Sequence, residues 1–541
     1  MHFWFRRGAG ITLSSALIFV LLFALSLAAQ SPNGSLQGEV ADASGARVAS
    51  ARVTVTDAAI SAQRSVQTND RGEFRIDDLA PGNYRVVVHA NGFAEATSDV
   101  KIVVASMRDV LVTLRPAAVE QSVNVHSQGS SITMQPFDTT RTVQQGIVTS
   151  QDLHDIPLAA RSFANIAYMA PGTAPVEPSD PTKARITAVS FGGSSGLNVK
   201  LSVDGGDNTD DYIGGFLQNF SPDSIEEFSV QTSQEYADTG RTVGGSVVIS
   251  TRRGTDEWHG NAAFYERAAA LNARNTLDNP EPQPKQPFSR QNYIGAIGGP
   301  LKQGKLWLFS SFEYVHENAS INYSPDNLDQ FNALSSLAAQ GLIPGVSSIP
   351  VPAYTLVPFN DYLGTIRLDW SQSARSQWFL RGAVDSYLTN NNLVQQGTLP
   401  STGATTHSNY FNVVLNNTFA FTPTWLGSFT ATASTLHNTQ ARNSNLGFAL
   451  AFPFSATSST VSGFETFGDQ QFQTPITAFP VLRNQEKYQF RYDVSHASGK
   501  HAPRFGIDFI HEPVLSGALS GTAENLTIFP MDPTDYLTDP A

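Results

Sequence analysis

Three groups of residues have the type and spacing that chemistry would need. Gly192-Gly193-Ser194-Ser195-Gly196 satisfies G-x-S-x-G, the pattern of a serine nucleophile on a strained turn. That turn works only between a strand and a helix. Asn198 to Val203 alternates polar and apolar residues as a strand does, so the run reads as a flexible turn. Asp204, Asp207, Asp210 and Asp211 form a carboxylate cluster that could suggest calcium. Their spacing departs from D-x-[DN]-x-[DN]-G, and the plainer reading is an exposed acidic turn without metal. Glu226-Glu227 reads as a solvated strand edge and not as a paired acid. The chain has no cysteine, which removes disulfides, thiolate metal sites and cysteine nucleophiles together. No H-x-x-E pair occurs either. No catalytic residue, metal ligand or cofactor is expected.

The elements that must position these residues are set by composition. The 541 residues carry 34 basic and 47 acidic side chains, a formal charge of −13. An acidic chain lacks the basic face that nucleic acid requires, so no nucleic-acid partner is expected. Only 15% of residues are charged, against about 25% in ordinary soluble domains. Polarity comes instead from Ser, Thr, Asn, Gln and Gly. With 10% aromatics, this disfavours both a helical cytoplasmic enzyme and disorder. The aromatics crowd into the second half, from Trp258 onward, and a domain boundary is placed there.

Residues 1–29 read as a cleaved export signal. Arg6 and Arg7 precede an apolar run over 11–27, and the small Ala28 and Ala29 follow. The run is slightly short for a spanning helix, and no later segment reaches about 18 apolar residues. If the exported chain enters a membrane, it does so as a β-barrel.

Residues 30–116 read as a small β-sandwich of seven strands separated by turn clusters such as Asn69-Asp70-Arg71-Gly72 and Pro81-Gly82. Gly38 to Gly45, Ala51 to Val55, Thr68 to Phe74 and Leu79 to Val86 carry ordered motifs. Together they resemble the carboxypeptidase regulatory-like domain, a transthyretin-like sandwich. The resemblance implies no catalysis; it implies a carbohydrate binding-like fold.

Residues 117–257 carry Asp152 to Phe163, Met169-Ala170-Pro171-Gly172, Leu201 to Asn208, Ser224 to Val230 and Tyr236 to Thr251 in order. These resemble the α+β plug domain of TonB-dependent outer-membrane transporters, in the Oar-like branch that carries the sandwich in front. Arg253 to Gly260, Leu271 to Asn275 and Gly298-Gly299-Pro300-Leu301 extend the resemblance into residues 258–541. It implies a TonB-type periplasmic partner that docks by strand addition just before the plug. Glu120, Gln121, Ser122, Val123, Asn124 and Val125 occupy that position. It also makes Asp204, Asp207, Asn208, Asp210 and Asp211 candidates for a substrate-facing plug loop.

Residues 258–541 read as transmembrane barrel strands. Tyr362, Gly364, Ile366, Leu368 and Trp370 oppose Thr365, Arg367 and Asp369; Tyr488, Phe490 and Tyr492 oppose Lys487, Gln489 and Arg491. One face suits lipid and the other a polar lumen. Arg367, Arg381 and Arg491 could meet an acidic or sugar-like substrate; pairing with Asp369, Asp385 and Asp493 is the plainer expectation. Short connections at 299–304, 371–375, 422–424 and 497–502 alternate with long ones at 317–361, 388–408 and 437–486, which assigns periplasmic and extracellular ends. The pattern gives nine strands. A barrel of about eight strands cannot hold a plug, and plugged barrels use about 22. The expectation is therefore a mainly β chain whose antiparallel transmembrane barrel is incomplete, as a gene fragment or pseudogene-like product, or as a half-barrel that closes by oligomerising.

The resemblance implies a non-enzymatic receptor of the cell outer membrane. It would take up an unknown extracellular substrate, of carbohydrate or peptide class, by TonB-coupled transport, with the sandwich periplasmic. The competing reading is a carbohydrate-binding or adhesive receptor that transports nothing.

Overall fold

The computed structural model describes residues 33–117, most of 131–273, and 285–538 apart from 393–403, 443–448, 454–470, 474–479, 497–502, 520–525 and shorter stretches. Residues 1–29 and Glu120 to Val125 lie outside the described residues, as do Ser194 and Ser195.

The first unit has seven strands where alternation predicts them. They are β1 (Gly34–Asp42), β2 (Arg52–Asp57), β3 (Gln63–Gln67), β4 (Glu73–Leu79), β5 (Gly82–His89), β6 (Ala96–Ile102) and β7 (Met107–Leu114). Two sheets face each other, ordered β4-β1-β7-β8 and β3-β2-β5-β6, where β8 is Ser131–Met134. Every second residue points inward, so Val53, Val55, Val86, Val88, Val100 and Val112 build one core. Each buried aliphatic chain contributes about 1.5–3 kcal/mol. The turn before β4 is held by Asn69, whose Oδ1 accepts from the amides of Arg71 and Glu73 at 2.9 Å. Gly72 has φ +74°, and a Cβ there would stand 2.4 Å from the Val40 carbonyl, so only glycine closes it.

The second unit contains β9 (Gln144–Thr149), β10 (Thr173–Val176), β11 (Ala188–Phe191), β12 (Val199–Val203), β13 (Gly206–Asp207), β14 (Ile225–Ser233) and β15 (Gly245–Thr251). Five of them make a mixed sheet, β13-β12-β15-β14-β9. A one-and-a-half-turn helix, Ser150–Asp155, follows β9 and starts at a capping box between Thr149 and Asp152. Leu201, Phe216, Phe228, Val230, Val247 and Ile249 form a core separate from that of the sandwich. The strand expected after G-x-S-x-G is β12.

The third unit is one antiparallel sheet in chain order: β16 (His259–Ala268), β17 (Ser289–Lys302), β18 (Leu306–Asn322), β19 (Tyr354–Ser373), β20 (Ser376–Asn392), β21 (Ala404–Ala420), β22 (Trp425–Arg442), β25 (Pro480–His496) and β26 (Arg504–Leu519). Three short strands, β23 (Ala449–Pro453), β24 (Gln471–Gln473) and β27 (Leu526–Ile528), form a sheet of their own. The nine expected wall strands are all present, with the expected hairpins at the short turns.

Burial in this wall is inverted relative to a water-soluble sheet. Arg483, Gln485, Lys487, Gln489 and Arg491 of β25 are buried, while Leu482, Tyr488, Phe490 and Tyr492 between them are exposed. β19 repeats the pattern, with Ile366 exposed and Arg367 buried. Apolar side chains outward and polar ones inward are what a lipid surround and a filled lumen demand. Aromatics mark both rims. Tyr293, Tyr314 and Tyr362 stack across the middle of β17, β18 and β19, where the strands leave the lipid band, and Trp425 stacks on His496 near the short-turn end. Among the described residues no helix is long and apolar enough to cross a membrane.

The long connections are shorter than expected because the strands run on into them. β18 and β19 stay paired to Asn322 and Tyr354, and a helix, Pro325–Ala339, occupies about half of the rest. β19 has 20 residues, about 65 Å of strand, whereas the apolar band is about 25 Å tall. In the β19 extension Tyr354 and Leu356 are exposed while Phe359 is buried, so apolar residues fall on both faces and the alternation loses its contrast.

Candidate functional site

The acidic cluster begins at a two-residue hairpin turn. Val203 pairs with Gly206 across Asp204-Gly205, which have φ +52° and +81°. Two positive φ values in a row make a type I′ turn, which Asp-Gly favours. The tip presses on the wall: a Cβ on Gly206 would meet Thr432 at 2.9 Å and Val414 at 3.0 Å.

The expectation of an exposed turn is corrected here. Asp204, Asp207, Asn208 and Asp210 are all buried. Burying carboxylates in a low-dielectric site is costly unless each finds a partner, and the wall supplies one for each. Asp204 accepts from the Thr251 amide at 2.9 Å and its hydroxyl at 2.7 Å. It pairs with Arg367 at 3.1 Å and Arg381 at 2.8 Å. Asp207 pairs with Lys487 at 3.3 Å, and its amide donates to Gln489 Oε1 at 2.9 Å. Asp210 pairs with Arg483, and Asp211 with Lys487. Lys487 also donates to the Thr209 carbonyl at 2.7 Å and meets Glu512 at 3.2 Å. Asn208 plays a different part: it exchanges two hydrogen bonds with the Gln218 backbone inside its own unit. Divalent metal would have to displace these ammonium and guanidinium partners. Among the described residues no group of three metal-ligating side chains is assembled.

Of the expected arginine pairs, Arg367–Asp369 and Arg491–Asp493 are present. Arg381 does not take Asp385; it turns to Asp204, and Asp385 instead accepts from the Asn219 amide at 2.8 Å. Arg381 and Asp385 share β20, and each is satisfied by a partner that the second unit brings. Sequence reading missed Arg483, Lys487 and Glu313 as partners; Glu313 accepts from the Ser221 hydroxyl and pairs with Arg161 at 3.5 Å. The available signal was a D-G turn rich in acids facing lumen-side cations on several strands.

A second junction joins the sandwich to the short-turn end of the wall. Arg253, between β15 and β16, donates to Asp57 of β2 at 2.6 Å and approaches the Pro81 carbonyl. Burial works against the charge on Arg253, but Asp57, with Tyr84 and Asp369, more than offsets this, and the proton is held more firmly than usual. The Asp256 amide donates to the Ala59 carbonyl at 2.8 Å, while its carboxylate accepts from Trp307 Nε1 and the Gly304 amide at 2.9 Å. Thr418 of β21 donates to Asp78 at 2.6 Å. Glu227 also corrects an expectation. It is buried, accepts from the Val104 amide at 2.7 Å and faces Lys101 at 3.6 Å. Burial pushes its carboxyl up to about 7, with the Val104 amide and Lys101 pulling the other way.

Comparison with known proteins agrees with this arrangement. The family described as "Carboxypeptidase regulatory-like domain" matches residues 35–115. The family described as "Outer membrane beta barrel domain" matches 250–336 and 326–523, together half of the chain. The TonB-dependent transporter Oar of Myxococcus xanthus is 24% identical over 330 residues, covering 57% of this chain and 28% of that protein. Among solved structures, the outer membrane transporter YddB from Escherichia coli is 10% identical, with TM-score 0.48, over 68% of this chain and 48% of its own. The siderophore receptor PirA from Acinetobacter baumannii is 13% identical, with TM-score 0.43, over the same shares. The chain thus spans less than a third of the curated relative and about half of the solved ones. It belongs to the outer-membrane β-barrel family, as a homologue of TonB-dependent transporters that carries a carboxypeptidase regulatory-like domain and resides in the outer membrane.

Proposed function

We propose that the chain acts in TonB-coupled uptake of an extracellular solute, with residues 117–257 as the plug, 258–541 as barrel wall, 30–116 as a periplasmic sandwich and 1–29 as a removed leader. The observation that carries this reading is the charge clamp between Asp204, Asp207, Asp210 and Asp211 and the wall cations Arg367, Arg381, Arg483 and Lys487. Moving the unit out of the wall breaks several ion pairs at once, and each wall cation left buried without its acid costs about 3–5 kcal/mol. Passage then needs work supplied from outside the barrel, which is what an energy-coupling partner provides. Its contacts with the short-turn end of the wall support a periplasmic sandwich. Glu120 to Val125, between β7 and the plug, is the proposed docking segment for the TonB-type protein. The five acidic-loop residues first offered as substrate-facing are assigned to the clamp and to plug structure instead, which leaves substrate choice to the extracellular loops. No reaction is assigned to the chain.

The test is uptake of candidate carbohydrates and peptides by cells carrying the complete gene, with and without TonB. Uptake that persists unchanged without TonB would overturn the coupled reading.

A further inference from the structure

Where the sandwich meets the short-turn end of the wall, like charges border one crevice. β3 and β4 contribute Arg64 and Arg75, and the β19–β20 turn contributes Arg375. These three guanidinium groups and a single carboxylate, Asp77, line a solvent-open space of about 260 Å³. Asp77 holds both sandwich arginines in place. Its carboxylate accepts from Arg75 Nε at 2.8 Å, and its backbone carbonyl accepts from Arg64 Nη1 at 2.7 Å. The first contact neutralises a charge; the second fixes a guanidinium and leaves its charge unmatched. Arg375 is exposed, and its carbonyl accepts from the Ala420 amide at 2.8 Å, which ties its turn to β21. Among the described residues neither Arg64 nor Arg375 has a carboxylate at ion-pair distance.

Unmatched like charges across a joint oppose it. The two sides are nevertheless held together, by Thr418 on Asp78 and by Arg253 on Asp57. A neighbouring crevice of about 100 Å³ is built differently, because its Arg253 and Arg367 are matched by Asp57 and Asp369. The excess of positive charge is thus confined to the larger crevice.

We propose that this crevice is an anion site that takes a phosphate group between sandwich and wall. Guanidinium forks match phosphate oxygens, and two unmatched ones suit a group carrying a charge of about −1 to −2. Thr424 and Ser495 add hydroxyl donors on the wall side. The space has room for more than one small ion, so the phosphate is expected as an ester of a larger molecule. Two sources offer that chemistry. Thr424 adjoins the half-exposed Trp425 at the lipid-side rim, within reach of an anionic lipid headgroup; the open crevice also admits a soluble phosphate ester. Either way the bound group bridges β3 and β4 to the β19–β20 turn. The site does not depend on TonB coupling.

The test is calorimetric titration of the full chain, delipidated in dodecyl maltoside, which is uncharged and free of phosphate. The probes are inorganic phosphate and dihexanoyl-phosphatidylglycerol, a soluble anionic lipid. The double variant Arg64→Gln with Arg375→Gln is expected to bind at least about tenfold more weakly than the parent. Arg71→Gln, an exposed arginine outside the crevice, should bind as the parent does. Amide exchange at Val66 and Val86 reports an intact sandwich. If the double variant loses that protection, Arg375→Gln alone carries the test, with a weakening of about threefold or more expected. In the parent, saturating probe should also slow exchange of the Asp256 amide, which bonds the Ala59 carbonyl across the joint. Tighter binding of the lipid assigns a headgroup; phosphate binding at least as tight assigns a soluble ester. Binding of neither probe, or equal binding by parent and variants, overturns the site.

Discussion

Asp204 is the residue on which most of the clamp converges, since two guanidinium groups and Thr251 share its carboxylate. Asp204→Ala leaves Arg367 and Arg381 buried against a gap. A loss of about 3–5 kcal/mol in plug retention is expected, seen as plug release at lower denaturant while the wall remains folded. Asp204→Asn keeps shape and one acceptor, and a smaller loss is expected. Gly206→Ala tests close approach instead of charge, because its Cβ would intrude on Thr432 and Val414; a cost of about 1–3 kcal/mol follows. Glu227 gives a pH prediction. Its carboxyl is raised from 4.5 to about 7 by burial, and the groups facing it are Lys101, Glu226 and the Val104 amide. The folded state therefore binds the proton more tightly than the unfolded one. Its contribution to the sandwich–plug junction is fullest below pH 4.5 and is lost as pH rises through 7. Protection of the Val104 amide, corrected for the intrinsic pH dependence of exchange, should fall between pH 5 and pH 8, and Glu227→Gln should flatten that dependence. A profile unchanged by the substitution would rule out Glu227 as its source.

At the scale of elements, the wall strands express a single rule, and one substitution tests it. Ile366 projects from the middle of β19 and is half exposed, while its neighbour Arg367 is buried. Ile366→Arg is expected to cost about 2–4 kcal/mol of folding stability in bilayers, measured by denaturant titration in lipid vesicles, and far less in a soluble setting. The same alternation made these strands legible from sequence: the period of two survives wherever lipid faces one side and water or protein the other. The sandwich was legible for a related reason, since turns such as Asn69 to Gly72 punctuate inward valines. The clamp was not legible. Asp207 and Lys487 are 280 residues apart, and nothing local to either distinguishes a solvated acid from a paired one. Glu227 was misread on the same ground, because its neighbour across the joint lies in another unit. The strand extensions past the lipid band escaped notice because apolar residues there fall on both faces, as Leu356 and Phe359 do in β19.

For the whole molecule, separate cores predict separate transitions. Chemical denaturation in detergent should release the sandwich in one step and the wall in another, with the first step alone shifted by Arg253→Met; a single coincident transition would contradict this. The positions of the contacts along the chain also carry a consequence for assembly in time. Every residue of the sandwich core lies before residue 115, so the unit can close as soon as that length has crossed the inner membrane. The plug cannot follow it directly. The Asp207 amide must wait for Gln489, 282 residues later, and contacts of such long sequence separation form slowly. During that wait the acidic hairpin has no cations beside it, and its charges keep it hydrated. A chain that forms in this order completes its sandwich first and its charge clamp only after β25 has been delivered, so the acidic hairpin is paired only once eight of the nine described wall strands are available.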